Sequence, residues 1–314
     1  MLLGLKTRPV VANVLAAHER GEKAFIALAN TMESMLDRHV EIHSLHTGDP
    51  VTASFADLFL HYLERTREIR IKKPWSKDKA IVIYPSDQEL GEAATEQFEK
   101  VKKMIRETNW SGLPFSPIDY LHNELRKAGL KTAEITGRHS IVDYSGDKGP
   151  TLKIRPQREI NSKGRIKVIS DYNNGRVDVL IANQAGSTGL SAHASPKNGS
   201  DVKPRHTFIA QAEGNIDTHI QILGRTNRTG QVALPFYSHL YADVPAEVRP
   251  TSFLMKKMAS SNANTQGSRR SALTMDEAPD WMNQYGDEVV ANLMSDNPEM
   301  HSQIGAPLKH AEDG

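Results

Sequence analysis

The sequence predicts an α/β fold: a doubly wound, mostly parallel sheet with helices on both faces. Three observations predict it. Short, uninterrupted apolar runs such as Ala24 to Ala29 and Val177 to Ala182 have the character of strands buried on both faces. Stretches with helical spacing, punctuated by glycine and proline, alternate with them. Polar or glycine-containing segments follow the runs directly, at the carboxyl ends of strands, where open α/β sheets place their ligands.

Pro9 to Arg20 carries apolar residues at 10, 11, 14 and 15, with proline expected in the first turn and Gly21 as the stop. The run 24–29 enters Asn30-Thr31-Met32. Residues 41–115 are less regular and read as an insertion: a helix around Ala53 to Glu68, a basic stretch from Arg70 to Lys79, a strand at Ala80 to Tyr84, and a charged helix from Leu90 to Thr108. The pattern then resumes. A helix at Pro117 to Ala128 stops at Gly129, and a strand at Lys131 to Ile135 ends in Thr136-Gly137-Arg138. Residues 145–164 are Gly- and Lys-rich and read as a loop, followed by a helix at 165–174 ending at Gly175. Val177 to Ala182 leads into Gln184-Ala185-Gly186-Ser187-Thr188-Gly189. A strand at Thr207 to Ala210, a helix at Asp217 to Arg228, a strand at Leu234 to Leu240 and a helix at Thr251 to Ser260 complete the series. Residues 1–255 are expected to form the α/β domain, and 256–314 a polar, loosely ordered extension.

Composition narrows the function classes. The chain has 314 residues, 25% of them charged, a formal net charge of +1 and no cysteine; its mean hydropathy is −0.50. Disulfides and thiolate chemistry are excluded. Bulk charge gives no case for nucleic acid, so any basic surface must be local. No apolar run reaches the ~18–20 residues of a membrane span, and the amino terminus is too short for a signal peptide; a cytoplasmic location is expected. His39, His43 and His46, near Asp37 and Glu41, have no cysteine partner and no clear element to fix them, so no metal site is assigned. The basic stretch around Trp75 reads as a solvated linker, with phosphate contact and base stacking as the alternative.

Two motifs carry chemistry. Gly186-Ser187-Thr188-Gly189 follows a buried strand, where small residues let the backbone approach a phosphate; a tight turn is the plainer reading. Gln221 to Gln231 reads Q-x-x-G-R-x-x-R-x-G-Q, with Arg225 and Arg228 three apart and expected on one helical face. Arginine never deprotonates, and its planar fork matches phosphate oxygens. A solvated helix face would also contain such a pair. Order and spacing favour the sharper reading: strand, Gly-Ser-Thr-Gly turn, strand and arginine helix occur in series.

That series resembles motifs V and VI of the second RecA-like domain of superfamily 2 helicases. Thr136-Gly137-Arg138, the Ala185-to-His193 run and Gly224-Arg-Thr-Asn-Arg-Thr-Gly-Gln231 look like the strawberry notch helicase C-terminal domain, including its phage and plasmid relatives. Leu113-Pro114, Ile118-Asp119 and Gly267-Ser-Arg-Arg270 also fit. The resemblance covers about residues 10–290, with 131–235 carrying most of it. It implies an ATP- and Mg²⁺-dependent motor lobe acting on nucleic acid, double-stranded DNA by preference, in the cytoplasm (a bacterial host's if phage- or plasmid-encoded). By position, Arg225 and Arg228 would act on the γ-phosphate as arginine fingers. Gln221, Gly224, Gln231, Gly186 and Gly189 would border the nucleotide. Ser187, Thr188, Asn30, Thr31, Gly137 and Arg138 would touch the nucleic-acid backbone.

One departure is plain. The chain contains no G-x-x-x-x-G-K-[ST] loop, and Asp276-Glu277-Ala278-Pro279 lies downstream of the arginine motif, after no buried strand. The resemblance therefore implies a second lobe, with phosphate binding supplied by a separate or missing Walker-A-containing N-terminal lobe, and no appreciable hydrolysis by this chain alone. A non-catalytic DNA- or protein-binding module, in phage biology or transcriptional regulation, is the alternative.

Overall fold

A computed structural model describes residues 2–71, 81–147, 149–183, 189–198, 201–266 and 284–304. Its centre is a five-stranded sheet in the order β4-β7-β1-β8-β9. The strands are β1 (Lys23–Leu28), β4 (Thr132–Ile135), β7 (Val179–Asn183), β8 (Arg205–Ile209) and β9 (Phe236–His239), and every neighbouring pair is parallel. All five carboxyl ends therefore share one edge of the sheet. Two small antiparallel ribbons stand apart from it: β2 (Ile69–Ile71) with β3 (Ile81–Ile83), and β5 (Ser140–Asp143) with β6 (Thr151–Ile154).

The helices are α1 (Leu2–Glu19), α2 (Glu33–His43), α3 (Phe55–Arg65), α4 (Asp87–Leu90), α5 (Glu92–Glu107), α6 (Pro117–Lys127), α7 (Gln157–Ile160), α8 (Ser162–Asn173), α9 (Ile216–Leu223) and α10 (Pro245–Gln266), then Gln284–Asp296 and Pro298–Ile304. On one sheet face, Ala24, Ile26 and Leu28 of β1 join Val179, Ile181 and Phe208 beneath α1 (Val10, Val14) and α6 (Ile118, Leu121, Leu125). The strand pleat turns Phe25, Leu180 and Ile135 to the other face, where they meet Ile169 of α8. Burial on both faces explains why these strands are continuous apolar runs in sequence. The chain divides into two compact units: residues 1–211 with 222–240, containing the whole sheet, and residues 212–221 with 241–314.

Three expectations change. Helix α1 begins at Leu2, so Pro9 sits inside it and not in its first turn. Buried Leu3, Lys6 and Thr7 hold the extra turns, and the Lys6 Nζ donates to the Leu240 carbonyl at 3.0 Å. The 145–164 stretch is not simply a loop: β6, α7 and the start of α8 lie in it, because Leu152 joins Leu36, Val51 and Val142 in a second small core. The carboxyl-terminal extension also contains helices.

A buried ion group fixes the amino-terminal end of the sheet. Lys23 pairs with Asp201 and donates to the Tyr172 carbonyl, and Arg205 donates to Asp201 (3.3 Å) and to the Ala192 carbonyl (3.0 Å). Both cations also meet the Tyr172 ring, Lys23 Nζ at 4.5 Å and the Arg205 guanidinium at 5.1 Å from its centroid. Burial lowers the Lys23 pKa to about 8, with Asp201 acting to restore it. Asp201→Ala would leave two buried cations without their shared carboxylate. It is expected to cost about 3–5 kcal/mol, read from the urea midpoint; a cost below about 1 kcal/mol would contradict the pairing.

Candidate nucleotide and nucleic-acid site

At the carboxyl edge of the sheet, β1 ends in Asn30 and Thr31, β4 in Thr136 and Gly137, and β8 in Gln211. The Asn30 N–H donates to the Gln211 Oε1 at 3.1 Å, and the Asn30 Oδ1 accepts from the Met32 N–H at 2.7 Å. Asn30 is exposed and its turn is thus held, with Met32 in the left-handed region at φ 57°. Gly137 is exposed, with open space where a Cβ would stand. Gly186, Ser187 and Thr188 lie outside the described residues; Gly189, just beyond them, is exposed at φ +77°.

The arginine motif departs from the helix expected of it. Helix α9 ends at Leu223, and Gly224 to Thr226 form turns closed by Arg225 N–H to the Ile222 carbonyl (3.0 Å) and Thr226 N–H to the Leu223 carbonyl (3.3 Å). Tertiary bonds take over the backbone here. The Arg225 carbonyl accepts from Ala192 N–H (2.8 Å), Val232 N–H donates to the Ala194 carbonyl (2.9 Å), and the Thr226 and Thr207 hydroxyls meet at 2.7 Å. Segments 190–194 and 224–232 are therefore strapped together on the α8 face of the sheet.

Consequently Arg225 and Arg228 do not share a helical face. Arg225 is 6% exposed, among Phe25, Leu180, Leu190 and Ala192. Its Nη1 donates to the Leu190 carbonyl (3.3 Å), while its Nε is buried with no hydrogen-bond partner among the described residues. Burial, and then the charge of Arg228, lower its pKa. Arg228 is exposed. Gln231 shapes its loop: the Gln231 Oε1 accepts from Arg228 N–H (3.0 Å), and Gln231 N–H donates to the Arg228 carbonyl (3.2 Å). Gly230 completes the loop at φ +86°. Gln221 is exposed on α9 in the second unit, and Gly224 is half-buried.

Arg138 has a different task from the phosphate contact expected of it. It is 2% exposed, donating to Asp119 (2.9 and 2.5 Å) and Glu134 (2.6 and 2.6 Å). Arg155 joins Glu134 at 3.2 Å, and His122 lies 3.3 Å from the same carboxylate. Burial would raise the Glu134 pKa, but Arg138 and Arg155 and a hydrogen bond from His122 hold it well below the carboxylate range. Asp119 also accepts from Val142 N–H (2.7 Å), so the group locks α6, β4 and β5 together. Sequence reasoning noticed Asp119 and Arg138 separately and missed their pairing. Among the described residues, no group of three or more His, Cys, Asp or Glu could hold a metal ion, and no helix is long and apolar enough to cross a membrane.

The fold and the strap define a parallel α/β domain with an exposed carboxyl edge. Comparison with known families makes the assignment: residues 116–310 match the family described as the C-terminal domain on Strawberry notch homologue, and the chain belongs to that helicase C-terminal family. FORGETTER 1 of Arabidopsis thaliana is 32% identical over 185 residues, covering 58% of this chain and 14% of that protein. Strawberry notch homolog 1 of Gallus gallus is 27% identical, covering 68% and 17%, and Drosophila melanogaster strawberry notch is 28% identical, covering 67% and 13%. The chain thus spans less than a fifth of the length of these relatives. A crystal structure of the E. coli DEAD-box protein SrmB bound to regulator of ribonuclease activity A aligns over 76% of this chain and 85% of that chain, with 14% identity and a TM-score of 0.26, too low to bear on function.

Two outcomes check the geometry. Arg138→Ala removes the only cation paired with Asp119 among the described residues and one of those on Glu134, and should cost about 3 kcal/mol by urea denaturation. In the parent chain, the depressed Glu134 pKa makes its contribution complete above the unfolded carboxyl pKa and lost as pH falls through the folded value. Stability should therefore fall as pH drops through the acid range, and a flat acid limb would contradict it. Gly230→Ala should cost about 1 kcal/mol or more from its positive φ, whereas Gly137→Ala should stay within about 0.5 kcal/mol. Equal costs at the two glycines would refute the assigned loop conformation.

Proposed function

We propose that this chain is the RecA-like C-terminal motor lobe of a superfamily 2 ATP-dependent DNA helicase or translocase. It closes on a Walker-A-containing N-terminal lobe across an ATP site. The observation that carries this reading is Arg225: a guanidinium fixed by the strap and desolvated, with no partner for its Nε and no carboxylate partner among the described residues. Elsewhere in the same unit, buried Arg138 and Arg205 both have carboxylates. A buried cation lacking one suits a site whose anion comes from outside the chain.

ATP with Mg²⁺, held mainly by the other lobe, supplies the phosphoryl group. This chain supplies charge and alignment. Exposed Arg228, set by Gln231 and Gly230, reaches the γ-phosphate as the finger, while Arg225 stiffens the strap and adds positive potential. By the motif, Gly224, Gly186 and Gly189 border the nucleotide. Asn30, Thr31 and Gly137 at the carboxyl edge meet the nucleic-acid backbone, as do Ser187 and Thr188 by the motif alone, double-stranded DNA being the preferred track. Arg138 acts behind that edge, holding β4 and β5 in place.

The absence of a G-x-x-x-x-G-K-[ST] loop from the sequence favours a second reading, a DNA- or protein-binding module without catalysis. One assembly experiment separates them. With a Walker-A lobe supplied, DNA should stimulate ATP hydrolysis, and Arg228→Ala should lower kcat by about 10³-fold or more while ATP affinity changes only a few-fold. Near-normal turnover in the variant would remove Arg228 from the mechanism. DNA binding with no hydrolysis in the parent assembly would favour the module.

A further inference from the structure

A cleft of about 400 Å³ opens between α2 and α3 in the sheet-containing unit. Its lining includes Phe115 and the side chains of Ile42 and Tyr62, which are 60% and 44% exposed. Arg38 of α2 and Arg65 of α3 also line it, both near enough to His61 for their charges to act on its ring. The lining contains one carboxylate, Asp57, and it is already committed. It accepts from the N–H and the hydroxyl of Ser54, both at 2.9 Å, as the cap of α3. Arg65 rests 3.6 Å from Glu68, whose carboxylate also accepts from the Tyr84 hydroxyl at 3.1 Å. Arg38 has no ion pair among the described residues.

The histidines add polarity and not charge. Burial, then Arg38 and Arg65, lower the His61 pKa, and burial, then His43, lower that of His39, so both rings are neutral at pH 7. The His61 Nε2 is buried and has no hydrogen-bond partner among the described residues. The cleft thus offers two fixed positive charges, one unsatisfied ring nitrogen and aromatic and aliphatic side chains. Its volume lies in the range of small-molecule sites, roughly 300–1,000 Å³. A flat, uncharged ring carrying an anionic group complements those features: stacking suits the aromatic side chains, and guanidinium forks suit phosphate oxygens.

We infer that this cleft holds one unpaired nucleotide of a nucleic-acid strand parted from the duplex, its base against Ile42, Tyr62 and Phe115 and its phosphate at Arg38 and Arg65. The strand, more than a free nucleotide, follows from the chain's course. Helix α2 starts at Glu33, directly after Asn30 and Thr31 at the carboxyl end of β1, so the proposed backbone-binding edge continues into α2. This last step rests on the function proposed above.

The test is fluorescence anisotropy of the whole chain with a fluorescein-labelled oligothymidylate at low salt, circular dichroism confirming the fold of each variant. The double variant Arg38→Gln, Arg65→Gln should bind at least about tenfold more weakly, with the log–log salt slope shallower by about 0.7 per lost phosphate contact. Tyr62→Ala should weaken binding about tenfold without changing that slope, as stacking requires. Arg106→Gln, on an exposed position of α5, should bind as the parent does. Parent-like binding by the double variant would overturn the proposal, as would a Tyr62→Ala effect confined to the salt slope. Thymidine monophosphate that binds as tightly as the strand would overturn the assignment to a strand. The assay uses neither ATP nor a second lobe, so it can fail while the Arg228→Ala expectation stands, and the reverse.

Discussion

The strap between residues 190–194 and 224–232 is the constraint on which the candidate site depends. Two backbone hydrogen bonds and the Thr207–Thr226 hydroxyl contact lay both segments on one face of the sheet. That placement buries Arg225 against Phe25 and Leu180 and leaves Arg228 outside. A desolvated arginine without a carboxylate is costly, and a chain that tolerates it must hold the backbone firmly on both sides. Arg205 contributes from below, donating to the Ala192 carbonyl from the buried Lys23–Asp201 group.

Two ion groups of opposite placement frame the sheet. Lys23, Asp201 and Arg205 secure its amino-terminal side, and Asp119, Glu134, Arg138 and Arg155 secure β4 near the carboxyl edge. In both, each buried cation meets a carboxylate, so their charge is spent on architecture. Arg225 and Arg228 on the strap, by contrast, have no ion pair among the described residues. This division agrees with a net charge of only +1 in a member of a helicase family, because local placement of charge, and not its sum, decides where phosphate can bind.

The sequence made the central strands legible because burial on both faces leaves uninterrupted apolar runs, as in Val179–Asn183. Helix ends were legible where glycine adopts a positive φ, as at Gly21 and Gly129. The arginine motif was legible as a motif but not as a shape. Its residues continue a helical spacing past Leu223, and only tertiary hydrogen bonds from Ala192 and Thr207 divert the backbone. Arg138 misled for a similar reason: Glu134 is only four residues away on β4, but Asp119 comes from α6, and nothing local signals that the two converge on it. The β5–β6 ribbon escaped notice because its strands are short and its connection is rich in glycine and lysine.

The most direct measurement is ATP hydrolysis by the purified chain, with and without duplex DNA. As a lobe that lacks its own phosphate-binding loop, it should show no turnover in either condition. Robust DNA-stimulated turnover that disappears in Arg225→Ala would mean that the chain holds a complete ATP site, and the two-lobe assignment would be wrong.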